Sequence, residues 1–195
     1  AAPKDDLISD MVKLQAEGVP LSDGEIRVNL SALLIGGNLT TTDLIGNGVW
    51  LLLYHPEELA KLKADPSLAA ATVEEILRYE SPVAITNRVI SEEREVGGCP
   101  MHVHQSVITS LHAANRDPEI FENPDRFDIT RKHVPHVAFG GGSHICIGAP
   151  LARIEAKQAL VRLFERFPDL HLAGDEPTWR ALPFFRGMEA LVVAG

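Results

Sequence analysis

One string of ten residues constrains this chain more than any other feature: Phe139-Gly140-Gly141-Gly142-Ser143-His144-Ile145-Cys146-Ile147-Gly148, running straight into Ala149-Pro150-Leu151-Ala152-Arg153. Its glycines open backbone conformations and close approaches that other residues forbid. The apolar positions that follow, Leu151, Ile154, Leu160, Leu163 and Phe164, recur at helical spacing. A cysteine is therefore set at the tip of a glycine-dense loop, immediately before a helix N-terminus. Unpaired backbone N–H groups and the helix dipole at that point both favour thiolate over thiol. The sulfur so held is a soft anionic ligand for a metal.

The rest of the chain reads as mainly helical with small strand elements. Asp5 to Gln15 has helical spacing, and Gly18-Val19-Pro20 ends it. Ser22 and Glu25 form a capping box, opening a helix expected to run to about Leu53, where His55-Pro56 stops it. At 1.5 Å per residue such a helix spans roughly 45 Å. Its middle, Gly36-Gly37-Asn38-Leu39-Thr40-Thr41-Thr42, is poor helix-forming sequence, so a local opening or kink is expected there. Short helices follow from Pro56 to Lys63 and from Leu68 to Tyr79. Short strands are expected between Val83 and Leu111 around a Gly97-Gly98 turn, a proline-dotted loop from Asn115 to His136, a helix from Gly148 to Phe167, and short strands from Leu170 to Val193.

Of the 195 residues, 18 are basic and 27 acidic, giving a net charge of −9 that argues against a nucleic-acid partner. The apolar stretch Leu30–Leu53 carries Asn38, Asp43, Asn47 and three threonines, too many polar groups for a membrane span, and a soluble protein is expected. The cysteines, Cys99 and Cys146, make no disulfide framework. A free, functional Cys146 fits a reducing compartment, hence a cytoplasmic location. His102 and His104 alternate like strand residues near Cys99, but no second half with zinc-ligand spacing accompanies them.

The cysteine string resembles the haem-binding signature of the cytochrome P-450 superfamily, F-G-x-G-x-H-x-C-x-G, at every defined position, and the soluble bacterial type in particular. The resemblance implies haem b (iron protoporphyrin IX), with Cys146 as its axial iron ligand. Phe139 would shield the sulfur, Gly140 and Gly148 would let the backbone approach the macrocycle, and Ile147 and Ala152 would line it. His144 would reach a propionate. Arg88, in Thr86-Asn87-Arg88-Val89, matches a second propionate-binding residue, the alternative being a solvated strand arginine. Glu75 and Arg78 match the family's E-x-x-R motif and Arg126 its P-x-R-F arginine. These three are expected to form a buried salt-bridge network supporting the loop.

Gly36-Gly37-Asn38-Leu39-Thr40-Thr41 aligns with the family's [A/G]-G-x-[D/E]-T-T, where small residues make room for oxygen and a threonine hydroxyl handles protons. Thr40, with Gly37 and Thr41, takes that place. The other reading of Thr40 is a hydroxyl bonded to a carbonyl one turn back. The family's acid is absent, because the position is Leu39, which can neither carry nor relay a proton; Asn38 and Asp43 are the nearest polar candidates. Val83, Ala84 and Ile85 stand where the family places substrate-facing side chains, and Phe184 and Phe185 either join them or pack in the core.

The implied activity is monooxygenation: one atom of O2 enters a small organic substrate. The electrons come from NAD(P)H through a ferredoxin-type or flavoprotein donor. Arg131, Lys132, Arg153, Lys157 and Arg162 flank the cysteine loop or the helix after it; they either form a basic patch suited to an acidic donor on the cysteine side or are ordinary solvated charges. Family members are about twice this length. Residues 1–195 are accordingly expected to form a single partial domain, the C-terminal, haem-bearing half of the fold with a long central oxygen-binding helix. Apolar faces normally packed on the other half would then favour self-association. The alternative is a non-catalytic haem-binding fragment or a haem-free one.

Overall fold

The computed structural model describes residues 3–174 and 176–195. The chain divides into two compact units, residues 1–39 and 40–195. In the first, α1 (Leu7–Ala16) is capped by Asp6, whose carboxylate accepts the Ser9 N–H. Its apolar residues Leu7, Ile8 and Val12 stay exposed. Ser22 and Glu25 close the capping box in both directions: the Ser22 N–H donates to the Glu25 carboxylate at 2.7 Å and the Glu25 N–H to Ser22 Oγ at 3.2 Å. Helix α2 (Asp23–Tyr54) starts there and continues beyond the first unit. Residues 36–42 remain helical, so Gly36-Gly37 does not end the helix. Weak propensity is a small cost per residue, readily absorbed by the turns on either side.

In the second unit the core gathers the C-terminal half of α2, α3 (Pro56–Ala64), α4 (Ala69–Tyr79) and α6 (Ala149–Arg166). Leu51, Leu52, Ile76, Leu160 and Ile129 are at most 1% exposed. Full burial of such a side chain contributes about 1.5–3 kcal/mol. Gly48 permits the central approach: a Cβ there would lie 2.9 Å from Ile76 and 3.3 Å from Leu160, so α2, α4 and α6 meet at a position with no side chain.

Among the described residues the strands form three small antiparallel pairs. β1 (Ile85–Val89) pairs with β4 (Ser106–Ser110), Ile85 opposite Ser110. β2 (Arg94–Val96) and β3 (Cys99–Met101) form a hairpin whose two turn residues, Gly97 and Gly98, have φ of +57° and +78°. Positive φ at both central positions is the requirement of a tight type I′ turn. β5 (His171–Leu172) pairs with β6 (Val193–Ala194). A four-residue helix, α5 (Leu111–Ala114), follows β4 and leads into the long irregular segment.

The apolar side read for α6 divides in the structure. Leu160 and Phe164 are buried, but Leu151 and Ile154 are each 59% exposed. The first turns of α6 flank the cysteine loop, where no core element among the described residues covers Leu151 and Ile154.

Candidate functional site: the cysteine loop

Local hydrogen bonds and left-handed glycines shape the loop. Gly140 and Gly142 have φ of +73° and +70°, a region that L side chains rarely occupy. The carbonyl of Phe139 accepts the N–H of Cys146 at 3.0 Å, closing the loop on itself. Gly142–His144 is a single 3₁₀ turn, and Gly148 caps α6 with Pro150 in the first turn. Cys146 is exposed. Around it Ile145 (60%), Ile147 (87%), Leu151 and Ile154 expose apolar side chains. A Cβ on Gly148 would stand 3.8 Å from the Cys146 sulfur.

This donor set tests the haem expectation directly. Among the described residues no group of three or more His, Cys, Asp or Glu is placed to hold a metal ion. Metal bound at Cys146 must bring its other ligands with it, and the apolar rim suits a flat macrocycle. The residues present fit a haem. His102, paired with Glu93 at 3.3 Å, and the exposed Cys99 lie in the β2–β3 hairpin and make no such group.

Beside the loop, α4 carries two glutamates in sequence, each the centre of its own network. Glu75 and Arg78 are fully buried and doubly bonded, at 2.7 and 2.8 Å. The remaining donors of Arg78 go to the carbonyls of Asn115, Pro124 and Arg126. The third arginine of the cluster is Arg131, whose Nε donates to Glu75 at 3.3 Å. Arg126 does not enter it: its side chain is 64% exposed, 4.0 Å from Asp128, and only its carbonyl takes part. The arginine expected from the motif resemblance is not the one that reaches Glu75: the turns that begin at Asn123 (φ +48°) and at Asp128 bring Arg131 back to α4 instead. Asn115, 0% exposed, extends this network: its carbonyl accepts from Arg78, and its side-chain oxygen accepts the Val137 N–H at 2.8 Å.

Glu74, the preceding residue, receives Arg153 in a fork at 2.6 and 2.9 Å and His136 at 3.0 Å. Burial pushes its carboxyl up, but the hydrogen bonds and charges of His136 and Arg153 outweigh that and hold it at about 2. No spacing signal marked Glu74, His136 or Asn115, since their partners lie tens of residues away. Of the five basic residues expected to face a donor, Arg131, Arg153 and Arg162 are partnered by Glu75, Glu74 and Glu165. Their charge is largely balanced within the chain.

Elsewhere, Arg88 is an exposed residue of β1 that donates to Thr86 Oγ1 at 3.0 Å and to the Asn87 carbonyl at 2.7 Å. His144 is exposed on the 3₁₀ turn of the loop, and Ala152 is half-buried on α6. Val83 bridges Phe185, and the Ala84 N–H donates to the Phe184 carbonyl at 3.0 Å, so the two apolar segments of the sequence reading lie side by side. Thr40 and Thr41 are half-buried on α2, while Gly37, on the same helix, is exposed. Asp43 is buried and paired with Arg180, close to Gly187, where a Cβ would collide with both. Burial pushes its carboxyl up, opposed by the hydrogen bond and charge of Arg180. An acid engaged in this way is poorly placed to replace the one missing at Leu39. Among the described residues no helix is long and apolar enough to cross a membrane.

A family model described as cytochrome P-450 matches residues 64–180. Cytochrome P-450 107B1 of Saccharopolyspora erythraea is 48% identical over 98% of this chain and 48% of its own length. The biotin biosynthesis cytochrome P-450 of Bacillus subtilis is 46% identical, with the same coverage of both chains. Among solved structures, P-450BioI in complex with hexadec-9Z-enoic acid ligated acyl carrier protein superimposes with a TM-score of 0.93 at 46% identity, covering 98% of this chain and 49% of that one. The chain thus spans about half the length of the curated relatives it matches.

Proposed function

The chain belongs to the cytochrome P-450 family, and from that premise we propose that it forms the C-terminal, haem-bearing part of a monooxygenase acting on a small organic substrate. One atom of O2 enters the substrate and the other leaves as water. Electrons come from NAD(P)H through a ferredoxin-type or flavoprotein donor on the cysteine side. The observation that carries this reading is Cys146: an exposed sulfur at a helix N-terminus, in a loop closed by glycines and rimmed by exposed isoleucine and leucine.

Haem, when bound, supplies the oxygen-activating redox chemistry. The chain's own residues do the rest. Cys146 would hold the haem iron through its sulfur, at the N-terminus of α6. Phe139 covers the sulfur side, and Gly140 and Gly148 keep the backbone low enough for close approach. Ile147 and Ala152 exclude water from that face. His144 and Arg88 donate to the propionates; the two bonds Arg88 makes within β1 are short-range and leave the rest of its fork to do so. Thr40, with Gly37 and Thr41 beside it on α2, holds water and passes a proton at its hydroxyl. Leu39 supplies no acid, and water must complete that route. Val83, Ala84 and Ile85, with Phe184 and Phe185, give the substrate an apolar wall.

The test is the absorption spectrum of the purified protein with haem, reduced under carbon monoxide. A strongly red-shifted Soret band is expected, and Cys146→Ser should abolish it. Retention of the band by that variant overturns the ligand assignment.

A further inference from the structure

The Glu75 network grips the segment 115–131, but both ends of the cysteine loop are tied elsewhere. His136 stands three residues before Phe139, and Arg153 stands seven residues after Cys146 on α6. Both meet on one carboxylate, Glu74. Arg153 Nε donates to Oε1 at 2.6 Å, its Nη2 to Oε2 at 2.9 Å, and His136 Nε2 reaches Oε2 at 3.0 Å. The histidine tautomer follows from its other nitrogen. Nδ1 accepts the Ala138 N–H at 3.2 Å, so the proton sits on Nε2 and is donated to Glu74. The His136 side chain is 3% exposed, which makes this a built contact rather than a surface encounter.

The two partners also converge on Phe139. The Arg153 guanidinium lies 4.6 Å from the centre of its ring, and the His136 ring lies 6.1 Å away. The carbonyl of Phe139 in turn accepts the Cys146 N–H. A continuous path therefore runs from Glu74 through Arg153 and His136 to Phe139, and from Phe139 to the backbone of the cysteine.

We infer that Glu74, His136 and Arg153 are positioning residues for Cys146: a clamp that closes the loop at both ends and sets the orientation of its sulfur. The inference rests on the reading of Cys146 as the haem ligand, and deepens it. The division of labour follows from the adjacent glutamates. Glu75 fixes the long irregular segment, and Glu74 fixes the loop. The hydrogen bond and charge of Glu74 push the Arg153 guanidinium up against the opposing effect of burial. Arg153 thus brings a permanent cation to the sulfur side while Glu74 limits its excess. Outer contacts of this kind orient ligands and tune a metal.

Amide hydrogen exchange on the haem-containing protein tests the clamp without relying on the ligand assignment. In Glu74→Gln and Arg153→Met the Cys146 amide should exchange faster, by about tenfold, as local opening of the loop becomes easier. The double variant should exchange no faster than either single one, because one carboxylate serves both. Arg153→Lys should give an intermediate rate, since it keeps the charge and loses the fork. Leu62→Ala, a core truncation in α3, serves as the control for general destabilisation. An unchanged Cys146 amide in both clamp variants overturns the proposal, and so does equal acceleration in Leu62→Ala. The reduced carbon monoxide spectrum supplies the second readout: the clamp variants should lose thiolate-type absorbance in favour of the thiol-ligated form, while Leu62→Ala keeps it. Band retention in Cys146→Ser would remove the ligand reading alone, leaving the exchange result to decide the clamp.

Discussion

Helix α4 buries Glu75 and Arg78 completely, while the first two turns of α6 leave Leu151 and Ile154 each 59% exposed. Side by side at the cysteine loop, charge lies inside and apolar surface lies outside. The buried charges are tolerated because every N–H of Arg78 has an acceptor and Glu75 accepts from Arg78, Arg131 and the Asp128 N–H. Such a network is a costly way to gain stability and an effective way to specify one loop conformation. The exposed isoleucines and leucines have the opposite logic. Nothing in the described chain covers them, and they make sense as surface that a flat apolar group would occupy.

The largest effect should come from breaking the buried side. Arg78→Met leaves Glu75 buried with its main partner gone and should lower stability by about 3–5 kcal/mol, read from urea unfolding. A smaller loss than a surface variant gives would show that the network is solvated in solution. Next comes a contrast within α6 itself. Leu160→Ala, at a 1%-exposed position, should cost about 2–5 kcal/mol.

The Glu74 network should show itself through pH. Its carboxyl is lowered from an ordinary 4.5 to about 2, so its stabilisation is fully present above the ordinary value and is lost as pH falls towards 2. Melting midpoints of the wild type should drop across that window, and Glu74→Gln should flatten part of the drop. Parallel curves would mean that Glu74 is not held down in the folded protein. The smallest stability effect is expected at the exposed side: Leu151→Ser should change unfolding by no more than about 0.5 kcal/mol. The same variant should weaken haem retention, measured by transfer to an acceptor protein. A stability loss like that of Leu160→Ala would instead place Leu151 in the core.

Much of this arrangement was legible in the residues. The capping box at Ser22 and Glu25, the Gly97-Gly98 turn and the ends of α3 and α4 depend on neighbours within a few positions, and the structure has them where spacing put them. The pairing of Glu75 with Arg78 is local in the same sense. Arg131, Asn115, Glu74 and His136 were not legible, because the partners that tie them into the two networks are 22 to 79 residues distant in the chain. The weak helix formers at Gly36-Gly37 do not end α2, because a local weakness in propensity is outvoted by the long helix around it.

The sequence alone determined the family, the helical frame and the cysteine loop, since each is written in short-range patterns of glycine, capping residue and apolar period. Tertiary structure alone decided which arginine reaches Glu75, that Asp43 is committed to Arg180, and that one carboxylate holds both ends of the loop. Those outcomes depend on where an irregular segment returns to α4, and on burial, which makes each unpaired charge costly enough to select a partner.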